Sequence, residues 1–225
     1  MGVFFAILII SVWGGHLAYI LTSVDVSLSN PWMYLHIAVQ AYFYTGLFIT
    51  GHDAMHGTVS ANRKVNEFLG ALAVFLFAGM SYKRLKKNHG KHHKYVATEN
   101  DPDYYTGNQN FFVWWATFMW RYLTVIQIII MAALYNIFVW VLNIPEPNVI
   151  VFWIVPAILG TLQLFYVGTY LPHHRPHEDY MQPHKARTQK KNHLWAMLSC
   201  YFFGYHYEHH ESPKTPWWQL YKSKE

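Results

Sequence analysis

The chain has 225 residues, 53% of them hydrophobic, 19% aromatic and only 13% charged, against roughly 25% charged in an average soluble domain. Its single cysteine, Cys200, excludes an internal disulfide and a cysteine-ligated iron–sulfur cluster. The formal charge of +5 would suit nucleic acid. Yet every basic residue except Arg121 falls in Arg63–Lys94 or Arg175–Lys224, a clustering that belongs to one side of a membrane.

Crossing about 30 Å of hydrocarbon takes about 20 apolar residues in a helix. The first such run covers residues 3–22. It lacks the basic leader and small-residue cleavage site of a signal peptide, so it reads as a span. The second covers 32–50. Residues 66–82 ("NEFLGALAVFLFAGMSY") are apolar but shorter, with "NRK" before and "KRLKK" after. A crossing would strand one basic cluster outside, so this segment is expected to lie in the interface. "NFFVWWATFMW" (110–120) reads as a second in-plane helix at headgroup level. Two further spans follow at 122–142 and 149–171, joined by the turn "NIPEPN", and residues 193–204 form a third in-plane segment.

The connections Ser23–Pro31 and Asn143–Asn148 contain no Lys or Arg. They are therefore expected outside, with both termini and all basic segments on the cytoplasmic side. The expectation is one all-α integral membrane domain over residues 1–225, with four transmembrane helices and a cytoplasmic cap of interfacial helices. Its basic face should attract anionic headgroups or an acidic partner, and nothing in it calls for nucleic acid.

The chain carries 15 histidines, and they are grouped. "GHDAMHG" holds His52 and His56, "HGKHH" holds His89, His92 and His93, and "HYEHH" holds His206, His209 and His210. Offsets of three and four place side chains one turn apart on one helix face, so each box can aim its imidazoles at one point. "LPHHRPH", after the fourth span, offers more. One zinc takes four ligands, so eight or nine imidazoles suit two ions. Imidazole serves iron, copper and zinc alike. Neutral ligands need carboxylates nearby to orient them, and Asp53, Asp101, Asp103, Glu208 and Glu211 are the candidates. His16 and His36 lie within spans and are expected to bond neighbouring helices, while His177, His184 and His193 are expected at the surface.

The pattern H-x3-H, H-x2-H-H, H-x2-H-H on a four-span chain resembles the membrane fatty-acyl desaturase and hydroxylase superfamily. The strings "FYTGLFITGHDAMHG", "ENDPDYYTGNQNFF", "QLFYVGTYLPH" and "CYFFGYHYEHHESPKTPWW" are similar to one branch, the bacterial and cyanobacterial β-carotene ketolases. The likeness runs from about Tyr42 to Leu220. It implies two Fe2+ ions, dioxygen as cosubstrate, and oxidation of carbon 4 of a carotenoid β-ionone ring. Two hydroxylations and a dehydration would take β-carotene to echinenone and canthaxanthin, with electrons from a ferredoxin-type donor. Carried over by motif, the metal ligands are His52, His56, His89, His92, His93, His173, His206, His209 and His210. The family reads L-P-H-R or L-P-H-K where this chain doubles the histidine, so His174 competes with His173, which is favoured. An apolar channel for the ring is expected near Phe48, Leu72, Phe75, Phe165 and Tyr166. The rival readings are an acyl-lipid desaturase, a carotenoid 3-hydroxylase and, from another class, a histidine-rich membrane metal transporter.

Overall fold

Helix α1 (Gly2–Ser23) and helix α2 (Pro31–His56) form an antiparallel pair, seen in the computed structural model, which describes residues 1–224. No strand occurs among them. Pro31 opens α2 with its fixed φ, and the Asn30 side chain accepts the Trp32 N–H at 3.1 Å. Gly57, at φ 77°, closes the helix in the left-handed region and returns its N–H to Ala54 O. No proline interrupts residues 51–56, so α2 runs past the expected boundary at 50 and carries the first histidine box on its last turns.

The helix expected over 66–82 runs from 63 to 78, and a second helix starts at 82. Asn62 caps α3 (Arg63–Ala78), Gly79 at φ 63° ends it, and Ser81 caps α4 (Tyr82–Tyr95). The axes bend by 98° at this break. Helix α5 (Phe111–Tyr122), capped by Asn110, then turns through 90° into α6 (Val125–Asn136), capped by Thr124 and prolonged by a π-helical turn, Ile137–Val141. Tyr122 therefore ends α5 and does not start the helix expected over 122–142, which begins at Val125.

Next comes a rod of 28 residues, Glu146–His173. It contains α7 (Glu146–Val149), α8 (Val155–Phe165) and α9 (Leu171–His173), separated by π turns at Ile150–Ile154 and Tyr166–Tyr170. Pro156 and Pro172 each follow a π turn, where the widened ladder accommodates the N–H that proline cannot donate. Tyr201, at φ 48°, ends α10 (His193–Cys200) four residues before the expected limit, and short helices α11 (His206–Glu211) and α12 (Trp217–Leu220) complete the chain.

Gly2–Ser23 and Glu146–His173 are each long and apolar enough to cross a membrane, and the two bent pairs raise the possible total to four. Helix α2 does not meet that test although it has 26 residues. It packs on α1, α3 and α8, so protein rather than lipid surrounds its polar groups. His16 and His36 illustrate this: His16 donates Nδ1–H to Gln40 Oε1 at 2.6 Å, and its Nε2 lies 3.0 Å from His36 Nδ1. Close approach of α2 to α3 relies on glycine, since a Cβ on Gly51 would overlap Val74 and one on Gly70 would overlap Ala54. Tyr44, Leu47, Ile49 and Phe152 fill the core. On α6, by contrast, Val125, Ile126, Ile128 and Ile129 are exposed, as lipid-facing residues would be.

Candidate metal centre

Four chain segments meet at one end of the helices. The last turns of α2 supply His52 and His56, α4 supplies His89, His92 and His93, the tip of α9 supplies His173, and α11 supplies His206, His209 and His210. Helix α4 serves because its imidazoles share one face while Lys83, Lys87, Lys91 and Lys94 are exposed.

The nine rings form two groups. His52, His56, His89 and His209 make one, and His92, His173, His206 and His210 the other; within each, one nitrogen per ring lies within 4.8 Å of all the rest. His93 stands between them, its Nε2 at 3.1 Å from both His89 Nε2 and His209 Nε2 and its ring centroid 4.4 Å from that of His210.

The groups fit a cation at each centre. His92 donates Nδ1–H to the Asp101 carboxylate at 3.0 Å, and His173 donates Nδ1–H to Lys185 O at 2.9 Å. Both acceptors lack protons, so each imidazole presents a bare Nε2 lone pair inward. Those nitrogens sit 3.2 Å from His210 Nε2 and 3.0 Å from His206 Nε2. The His52 Nε2 is buried with no partner at all. Converging lone pairs repel one another, and a shared cation removes that cost. Imidazole alone does not choose among iron, copper and zinc.

Electrostatics keeps these rings in ligand form. Burial, followed by repulsion from neighbouring imidazoles, holds His89, His206, His209 and His210 well below the ordinary histidine value and His93 down to about 2. His92 is the exception: burial disfavours its charge, but the adjacent Asp101 and Asp103 outweigh burial and raise it. Asp101 is lowered, burial notwithstanding, by His92 and by N–H groups from Ala97 and Asp103.

The candidate carboxylates divide. Asp101 holds His92 directly. Asp103 Oδ2 lies 3.8 Å from His92 Nδ1, its Oδ1 accepts from the Tyr122 hydroxyl, and burial raises its carboxyl to about 6. Asp53 is 3.5 Å from His52 Nδ1 and also accepts the Trp217 N–H at 3.0 Å, tying the C-terminal segment to the first box. Glu208 does not join them. It bonds Thr188 and Lys224, because on α11 it faces away from the rings. Glu211 instead accepts from His184. His174 stacks on Tyr170 and bonds its carbonyl, apart from the cluster that contains His173. His177 and His193 are half-buried rather than free, bonded to His173 O and Tyr205 Oη.

An apolar cavity reaches His52, His89, His92 and His206 from within the helices. Phe48 and Phe165 line it as expected, together with Met55, Phe77, Leu85, Phe118 and Phe203. Leu72, Phe75 and Tyr166 are not part of its wall; Phe75 is exposed on the outer side of α3. Tyr122, Gln127 and Thr169 also border it. No sequence signal identified them, because each lies in a run read as membrane-apolar.

A family model described as fatty acid desaturase matches residues 29–132 and 117–224. The chain is 42% identical over 188 residues to a zeaxanthin 4-ketolase of Chlamydomonas reinhardtii, covering 82% of this chain and 42% of that protein. It is 40% identical to a beta-carotene 4-ketolase of Protosiphon botryoides, covering 85% of this chain and 51% of that protein. A beta-carotene ketolase of Paracoccus sp. (strain PC1) is 36% identical, with 83% and 76% covered. The chain thus spans about half the length of these algal relatives and three-quarters of the bacterial one. No solved structure matches it.

Proposed function

The chain belongs to the fatty acid desaturase family, among its β-carotene ketolases, and from that premise we propose that it converts the C4 methylene of a carotenoid β-ionone ring to a ketone. The observation that carries this reading is the pair of imidazole groups at the end of an apolar cavity. A nearly insoluble hydrocarbon reaches such a cavity from within the bilayer, and its C–H bonds are beyond side-chain acids and bases.

His52, His56, His89 and His209 would hold one iron and His92, His173, His206 and His210 the other, with His93 Nε2, 3.1 Å from His89 Nε2 and His209 Nε2, a fifth ligand for the first. Two bound irons supply the dioxygen activation that the C–H bond requires. Each turnover puts one oxygen atom into a C4–H bond and releases the other as water, consuming two electrons and two protons from a reduced donor. A second turnover at the same carbon gives a geminal diol, which loses water to leave the ketone.

The chain's own residues prepare this chemistry. Asp101 fixes the tautomer and orientation of His92, and the Lys185 carbonyl does the same for His173. Asp103 and Asp53 support the two groups from behind, through His92 and His52 respectively, and Asp53 also holds the backbone N–H of Trp217. Phe203, edge-on to His52 and His206, and the aromatic wall from Phe118 to Phe165 keep water from the ring's path.

We place four crossings at α1, α2, α6 and the α7–α9 rod, with α3, α5 and α10 in the cytoplasmic interface and residues 1–225 as one domain. Both termini and the histidines then share the basic side. The lysine face of α4 suits an acidic ferredoxin-type donor. The histidines lie at helix ends, whereas transporters place their sites near the bilayer midplane.

Expression in bacteria that accumulate β-carotene tests the reading. Pigment gaining one oxygen and losing two hydrogens per ring is expected, and His89→Ala or His209→Ala should abolish it while lowering iron content. Unchanged pigment with altered acyl chains would make the protein a desaturase, and a hydroxyl at carbon 3 would make it a hydroxylase.

A further inference from the structure

Two of the cavity's polar side chains, Gln127 and Thr169, make no side-chain hydrogen bond among the described residues, and both are buried. Thr169 stands out against its own kind. Inside the helices, Thr22, Thr45, Thr50, Thr117 and Thr161 each donate the hydroxyl to the carbonyl four residues back, at 2.6–3.2 Å. Thr169 does not. It lies in the π turn Tyr166–Tyr170, where the helical ladder is widened, and its residue is only 8% exposed.

Its place along the rod matters. Thr169 precedes His173 by four residues, which sets both on one face a turn apart. The cavity it borders also reaches His206, whose Nε2 is 3.0 Å from His173 Nε2. Gln127 lies on α6, which carries no histidine. A hydroxyl that borders an apolar cavity and makes no bond to the protein is available to a polar atom of whatever the cavity holds.

We propose that Thr169 is a positioning residue whose hydroxyl holds the oxygen of the half-oxidised substrate, the C4 alcohol left by the first turnover. This rests on the ketolase reading. The unsubstituted ring offers Thr169 nothing to bond, so the first oxidation does not depend on it. Once carbon 4 bears a hydroxyl, the O–H and the threonine Oγ1 pair, the alcohol stays seated, and its remaining C4–H is presented again. The second turnover breaks that bond, with dioxygen as oxidant and the same reduced donor as reductant. The resulting diol loses one C–O bond and the other hydroxyl's proton, together as water.

The test is the ratio of alcohol to ketone formed from β-carotene by the full-length protein in carotene-accumulating cells. Thr169→Val should still consume carotene, with the ratio raised roughly three- to tenfold, and Thr169→Ser should restore it. Supplied 4-hydroxy carotenoid should show a raised KM in Thr169→Val. A ratio unchanged in a Thr169→Val protein that retains its iron overturns the proposal, as does equal loss of alcohol and ketone. Should the valine variant lose its iron, the same ratio is measured in Thr169→Ala, where a rise supports the proposal and no change overturns it. Wild-type protein that leaves carotene untouched defeats the ketolase reading, and this proposal with it.

Discussion

Asp101 shows how much of the centre depends on one side chain that never faces the cavity. It is 2% exposed, spans both its oxygens to His92 Nδ1, and takes N–H bonds from Ala97 and Asp103. That network locks the tautomer that turns His92 Nε2 inward, and the carboxylate's charge makes the ring more basic. Asp101→Asn keeps an acceptor but loses the charge, and should cost about 10–100-fold in iron affinity or activity. Chelator titration of purified protein measures this, and wild-type affinity in the variant would deny Asp101 its role. Spacing found the three histidine boxes because i, i+3 and i+4 offsets share a face in any helix. It did not distinguish Asp101 from Glu208, since only the fold determines which carboxylate looks toward the rings.

At the scale of elements, the centre relies on two helix ends held at close range. The first histidine box occupies the last turns of α2, and α3 presses against it where Gly51 meets Val74 and Gly70 meets Ala54. Gly51→Ala inserts a methyl where there is no room, and should destabilise the fold by about 1–3 kcal/mol while lowering iron content. Thermal unfolding in detergent measures the first effect and iron quantification the second; a variant that matches wild type in both would show that α2 and α3 separate freely. The capping residues Asn30, Asn62, Ser81, Asn110 and Thr124 all stand in the sequence, yet the breaks at Gly79 and Leu123 lie inside runs that are continuous in apolar character. That character measures affinity for lipid. It does not report where a helix turns.

For the whole molecule, the division of charge gives a direct test of orientation. Ser27 lies in a connection without Lys or Arg, and Lys190 lies in a basic segment. Cysteine at Ser27 should react with a membrane-impermeant thiol reagent added outside intact cells, and cysteine at Lys190 only after lysis. Cys200 is fully buried and contributes no background. The opposite pattern would invert the proposed topology.

The helical class and the histidine spacing are written in the local sequence, because both depend on neighbours within a turn or two. So is the family, carried by contiguous strings such as "GHDAMHG". The sorting of imidazoles into two groups, with His92 parted from His89, depends on residues as far apart in the chain as His52 and His209. So does the position of His173 inside the second group, with His174 outside it. Helix ends brought together from four segments decide these points, and no local pattern specifies how far apart they come to rest.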